Sequence, residues 1–216
     1  MITDNIRAIT QQFGSSKPTL IAVSKQQADH KINAALAAGL RIFGENRAQE
    51  AQTRWSSRRP TYPDLQLHLI GSLQTNKVAD AVALFDVIHT LDREKLAITL
   101  QEEMIRQQRN LPCFIQVNTG NEPQKSGVSV PDLPAFYDFC IHDCHLTIQG
   151  LMCIPPVNEP SSLHFGLLAD WARRLNLPSL SMGMSNDYAK ALQYGATHIR
   201  VGTAIFGERH DDTKQT

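Results

Sequence analysis

Apolar residues gather in eight short runs along the chain, separated by longer stretches of mixed character. The runs cover 20–24, 41–45, 67–71, 87–91, 113–118, 148–154, 180–184 and 198–202. Apolar runs this short, bounded by turn residues, predict buried strands of a parallel sheet. The segments 28–38, 46–58, 75–84, 93–108, 132–144, 162–175 and 186–194 have helical patterns, and a further helix is predicted over 4–14. Gly39 and Gly195 follow alanine-rich helical patterns, where C-caps belong. Pro131-Asp132 and Ser161-Ser162 mark helix starts after loops.

Regular alternation of strand and helix predicts an α/β fold with a parallel sheet. Eight strands are the number that closes a barrel, so the predicted architecture is a single (β/α)8 TIM barrel with an extra N-terminal helix. It takes up 1–216 as one domain. An open, doubly wound sheet is the alternative. At 216 residues the chain is shorter than a typical barrel, so its loops must be short. The exceptions are 119–130 and 155–162, where Gly, Pro, Asn and Ser collect.

Composition narrows the setting. The chain is 42% hydrophobic, and its 21 basic and 21 acidic residues cancel. That balance gives no sign of a nucleic-acid or membrane surface. No apolar run reaches spanning length, and the start, Met1 to Asn5, lacks the basic and apolar regions of a signal peptide. A cytoplasmic protein is expected. Cys140 and Cys144 have i, i+4 spacing with His142 and His145 nearby, which suggests a metal site. Against it, Cys113 and Cys153 lie in apolar strands and there is no CxxC pair, so reduced thiols and no metal are expected.

In a barrel, function sits at the C-terminal ends of the strands. Lys25 ends the first apolar run. A lysine head usually snorkels into water. The alternative is a covalently used amine, as in Schiff-base chemistry with a carbonyl compound, for which pyridoxal phosphate is the commonest cofactor. The second strand ends in Glu45-Asn46. After strands seven and eight come Ser185 and Gly202-Thr203, at the position where barrels often build a phosphate site. Gly-Thr at a strand end is also an ordinary turn. Period two puts His198, Arg200 and Gly202 on one face of the last strand, so Arg200 points inward. An inward arginine needs an acceptor: either a carboxylate such as Glu45 or an atom of a ligand. His68 and His89 suit hydrogen-bonded core positions, and Lys77 and Lys125 suit the surface or the rim of the mouth. No HExxH, GxSxG or Walker A motif is present.

Eight stretches in order then point to a family: AVSK (22–25), FGEN (43–46) with Gln49-Glu50, HLIGSLQTNK (68–77), IHTLDREKLA (88–97), IQVNTGNEPQKSG (115–127), GLMCIPP (150–156), LSMGMSNDYAKAL (180–192) and IRVGTAIFGER (199–209). Together they resemble the pyridoxal phosphate homeostasis proteins over nearly the whole chain. Arg47 stands where a tyrosine is also familiar in that family, and the tail after Arg209 is unmatched. The resemblance implies a fold similar to the N-terminal barrel of alanine racemase, with pyridoxal 5'-phosphate at its mouth. It implies an internal aldimine on Lys25, a phosphate held by Ser185, Gly202 and Thr203, Arg200 at the pyridine nitrogen, and Asn46 near the ring. It further implies a cofactor carrier without efficient turnover, which releases the cofactor to enzymes that require it. A monomer is expected because no extra domain or obvious apolar appendage is seen. An amino-acid racemase is the second reading. A phosphosugar isomerase barrel, which also combines a lysine with a phosphate site, has no support in the ordered motifs.

Overall fold

Eight parallel strands close on themselves: β1 (Thr19–Val23), β2 (Ile42–Glu45), β3 (Gln66–Leu69), β4 (Val87–Leu91), β5 (Cys113–Asn118), β7 (Ile148–Met152), β8 (Ser179–Ser181) and β9 (His198–Val201). Neighbours run β4-β3-β2-β1-β9-β8-β7-β5, and pairing of β4 with β5 completes the ring. This computed structural model describes residues 1–208; Arg209 and the rest of the predicted 1–216 range lie outside the described residues. The eight-stranded barrel is therefore the architecture, and the open sheet is excluded. A two-residue strand, β6 (Val128–Ser129), pairs with β5 inside the long loop that follows it.

Helices α2 (Asp29–Ala37), α3 (Ala48–Trp55), α4 (Val78–Leu84), α5 (Glu94–Arg106), α6 (Leu133–Asp138), α7 (Ser161–Arg174) and α8 (Tyr188–Gln193) occupy the predicted segments. The extra N-terminal helix is α1 (Ile2–Thr10), and α9 (Thr203–Phe206) follows the last strand. Gly39 and Gly195 take φ of +93° and +82° at the ends of α2 and α8, as C-caps do. Most segment ends shift by a few residues, and two predicted segments differ further. The helix over 132–144 is α only to Asp138 and continues as a π-helical turn, Phe139–Asp143. The strand over 180–184 is regular only to Ser181; Met182 N–H and the Gly183 carbonyl still bond to β9, and Gly183 at φ +92° then turns the chain away.

The pleat divides each strand between two environments. Leu20 and Ala22, Leu67 and Leu69, and Ile199 and Val201 face outward and join the core beneath the helices. The opposite parity fills the barrel, where Val87, Phe114 and Met152 form a separate small cluster. The barrel interior is unusually polar for a packed core: His68, His89, Ser181 and Arg200 are all buried there.

This parity settles the partner of Arg200. Phe43 and Glu45 alternate with Gly44, whose missing side chain leaves room for the inward-facing Ile21 and Ile70. Glu45 therefore points outward, toward α3. Its Oε1 accepts from Ser24 Oγ at 2.7 Å, Arg54 Nη1 at 2.8 Å and Trp55 Nε1 at 3.0 Å. The suggested Glu45–Arg200 pair does not form, since a one-residue parity difference puts the two side chains on opposite faces of the sheet.

Glu45 is fully buried, so its loss strands three donors. Glu45→Ala is expected to cost about 3–5 kcal/mol in denaturant unfolding. Combined with Arg200→Ala, the coupling energy is expected below about 0.5 kcal/mol. A larger coupling would mean that the two residues do interact.

Candidate functional site

The C-terminal mouth of the barrel holds a cavity of about 630 Å³. Lys25, Asn46, Ser185, Arg200, Gly202 and Thr203 all contribute to its wall. The six candidate residues of the sequence, which come from four strand ends, thus meet around one space.

Each is placed by local structure. Val23 and Lys25 share the inward parity of β1, while Ser24 between them is tied outward to Glu45. Directly after Lys25 the chain turns sharply: Gln26 takes φ +57° and Gln27 N–H donates to Ser24 O at 3.1 Å. A left-handed non-glycine residue costs of order 1 kcal/mol, which the anchored Ser24 sustains. Asn46 is set by β3: a Cβ on Gly71 would meet the Asn46 carbonyl oxygen at 2.4 Å, so only glycine lets the two chains approach. Ser185 follows the bend at Gly183, where a Cβ would lie 2.6 Å from that of Ala191. Asp187 Oδ1 then accepts from Met184 N–H at 2.7 Å and fixes the loop. Ser185 Oγ accepts from Ala204 N–H at 3.2 Å, which joins the loops after β8 and β9. Gly202 has φ −113°, open to any residue; its contribution is a side of the cavity free of side-chain atoms.

Arg200 is 4% exposed. Its Nη1 donates to Ser181 Oγ at 2.7 Å and its Nη2 to the Cys153 carbonyl at 2.8 Å. Among the described residues no carboxylate lies within ion-pair distance of it. Burial pushes the guanidinium below its ordinary value. A cation held by two neutral acceptors, at the wall of a cavity, has donor capacity left for a ligand.

Behind Arg200 the polar interior continues. Ser181 Oγ lies 2.9 Å from His89 Nδ1, and His89 Nε2 lies 2.9 Å from His68 Nδ1. The two histidines are hydrogen-bonded core residues, as their sequence setting suggested. Burial, then the neighbouring His198, pushes His68 down to about 3. Burial, then His68, Arg200 and His198, holds His89 well below the usual imidazole range. Burial, then Arg200, pushes His198 down to about 4.

Other candidates lie off the site. Lys77 lines a neighbouring cavity of about 540 Å³ that shares Asn46, and sits 4.0 Å from Asp80. Lys125 pairs with Glu122 at 2.5 Å and reaches the Pro155 carbonyl at 3.4 Å. Arg47 is exposed beside Glu50. All four cysteines are free and buried; burial pushes Cys113 and Cys153 up to about 12. Ser181 was not singled out in the sequence. Its signal was parity: on β8 it faces inward, as Arg200 does on β9.

The chain's resemblances agree with this geometry. Residues 1–210 match the family model of the alanine racemase N-terminal domain. The pyridoxal phosphate homeostasis protein of Vibrio cholerae is 39% identical, covering 96% of this chain and 93% of that protein. The one from Aquifex aeolicus is 35% identical over 91% of this chain and 89% of its own length. The chain belongs to the pyridoxal phosphate homeostasis protein family. Among solved structures, PipY of Synechococcus elongatus without PLP superposes with a TM-score of 0.90 at 37% identity, covering 96% of this chain and all of that one. PipY has also been solved with PLP bound, and that form superposes at 0.86. The alanine racemase of Corynebacterium glutamicum has the same fold at a TM-score of 0.71 and 17% identity; 62% of its chain is covered.

The neutral interior histidines of this family member have a stability consequence. Their folded values lie below the ordinary 6.5, so the unfolded chain takes up protons first as pH falls. Stability is then full above about pH 6.5 and falls as the pH drops toward the folded values near 3 to 4. His68 alone is expected to cost about 2 kcal/mol at pH 5. Denaturant unfolding at pH 7.5 and pH 5.0 measures this; equal stability at both would contradict neutral burial.

Proposed function

We propose that this protein binds pyridoxal 5'-phosphate at the barrel mouth, with Lys25 as its covalent attachment point, and serves intracellular homeostasis of that cofactor. The observation that carries the reading is Arg200. A buried guanidinium bonded, among the described residues, only to neutral acceptors suits a ligand acceptor atom such as a pyridine nitrogen. The rest of the wall fits the same molecule. Lys25 offers a primary amine, Ser185 and Thr203 offer hydroxyls beside the open Gly202, and Asn46 offers an amide near the ring. The cavity volume lies in the range of small-ligand sites.

When bound, the cofactor supplies an aldehyde that condenses with a primary amine and a ring that withdraws electrons. This chain's residues then hold rather than convert. Arg200 disfavours protonation of the ring nitrogen, so the ring is a weaker electron sink than one paired with a carboxylate. Racemisation needs proton carriers on both faces of a substrate α-carbon. The carboxylates in the wall are Asp187, whose Oδ1 caps the loop before α8, and Glu159, whose Oε2 lies 3.2 Å from His164 Nε2 without forming a hydrogen bond. The reading is a non-catalytic carrier, cytoplasmic and monomeric, that forms one domain over 1–216 and yields its cofactor to enzymes requiring it. No helix among the described residues is long and apolar enough to cross a membrane.

Titration with pyridoxal phosphate, followed by borohydride reduction and peptide mapping, tests the assignment. The label is expected on Lys25 and is expected to vanish in Lys25→Ala. A wild-type protein that takes up no cofactor would overturn it. Chiral analysis of alanine and other amino acids after incubation separates carrier from racemase: no interconversion is expected, and turnover abolished by Lys25→Ala would establish the racemase instead.

A further inference from the structure

Four buried polar side chains link the two ends of the barrel. Arg200 lines the mouth cavity, and His68 lines a second cavity of about 520 Å³ at the N-terminal ends of the strands. Between them run the contacts Arg200 Nη1 to Ser181 Oγ, Ser181 Oγ to His89 Nδ1, and His89 Nε2 to His68 Nδ1, at 2.7, 2.9 and 2.9 Å. Exposure along the series is 4%, 0%, 0% and 2%. His89 stacks on Phe114 with ring centroids 4.3 Å apart, so its plane is fixed. His68 Nε2 is buried and has no hydrogen-bond partner among the described residues.

Counting donors orders the protons. A guanidinium only donates, so Ser181 Oγ accepts from Arg200. The cation repels the serine hydroxyl proton, and the other partner on hand is His89 Nδ1. His89 therefore accepts at Nδ1 and carries its proton on Nε2. That N–H donates to His68 Nδ1, and His68 in turn carries its proton on Nε2. Each order leaves one buried donor without an acceptor among the described residues: His68 Nε2–H in the order derived, the serine hydroxyl in the reverse, and only the reverse places that orphan proton beside the guanidinium. In the order derived, every dipole turns its negative end toward Arg200. Aligned dipoles in a low-dielectric interior reinforce one another. They do for the buried cation what a carboxylate would otherwise do, without neutralising it.

We propose that Ser181, His89 and His68 are positioning residues, an ordered relay that holds Arg200 as a cationic donor aimed at an acceptor atom of the ligand in the mouth. The identity of that ligand rests on the reading above; the proton order does not. Because the relay supplies orientation without net charge, the field of the guanidinium remains available to the cavity.

The experiment has two arms. Imidazole 15N NMR of the cofactor-free wild-type protein at pH 7.5 reads the tautomers. His89 and His68 are expected to carry a proton on Nε2 alone, and the His89 assignment is expected to be lost or mixed in Ser181→Ala. A proton on His89 Nδ1 in the wild type would overturn the relay. In the second arm, pyridoxal phosphate is titrated into wild type, Ser181→Ala, His89→Leu and His89→Asn, each checked for a cooperative melt. Ser181→Ala and His89→Leu are expected to bind roughly tenfold or more weakly, with an altered absorption spectrum. His89→Asn, whose Oδ1 can replace Nδ1 as acceptor, is expected to recover part of both. Folded variants with wild-type affinity and spectrum would overturn the positioning role. A wild type that binds no cofactor would sink the functional reading, while the tautomers still decide the relay.

Discussion

A guanidinium buried with no carboxylate in ion-pair contact among the described residues is the constraint around which this barrel is organised. An isolated buried cation is costly unless its environment is rich in acceptors. Here the environment is assembled from three strands. Arg200 comes from β9, Ser181 from β8, and the Cys153 carbonyl from just beyond β7. None of these contacts survives a register slip of one residue, since such a slip would turn Arg200 toward the helices and bring Val201 or Ile199 inward. The parallel pairing of β8 and β9, with Ser181 opposite His198, therefore does more than close a sheet. It matches a cation to its acceptors.

The same pleat separates two polar centres. Glu45 and its partners Ser24, Arg54 and Trp55 sit between sheet and helix and fasten the end of β1 against α3. Lys25 is the next residue after Ser24 and faces the other way, into the mouth. A buried carboxylate on the outer face thus steadies a lysine on the inner face without touching the cavity. Structural and ligand-facing charges are kept apart by the thickness of one sheet, which lets each be tuned by its own neighbours.

Much of this was readable in the sequence because it depends on period and order. Eight apolar runs alternating with helical patterns gave the barrel, and parity on the last strand gave the inward Arg200. Five of the six mouth residues lie just after strands and Arg200 lies within the last one, but it was the family resemblance that singled them out from other strand-end residues. What could not be read was pairing across strands. Of the two partners offered for Arg200, a carboxylate such as Glu45 or a ligand atom, Glu45 rested on charge alone, although the alternation Phe43-Gly44-Glu45 already placed it outside. Ser181 carries no charge, and within the motif 180–192 only its inward parity set it apart. Its role exists only because β8 lies between β7 and β9, which a linear reading does not contain. The π-helical turn at Phe139–Asp143 likewise has no local sequence signal that we can identify.

The proposed function turns on Arg200 acting as a cationic donor to an unprotonated ring nitrogen of the bound cofactor. The direct test is 15N NMR of pyridoxal phosphate labelled at the pyridine nitrogen and bound to the wild-type protein. The expected result is the shift of a neutral pyridine nitrogen accepting a hydrogen bond, moved on Arg200→Met. A pyridinium shift in the wild type, unchanged by that substitution, would contradict the placement of Arg200 and the carrier chemistry derived from it.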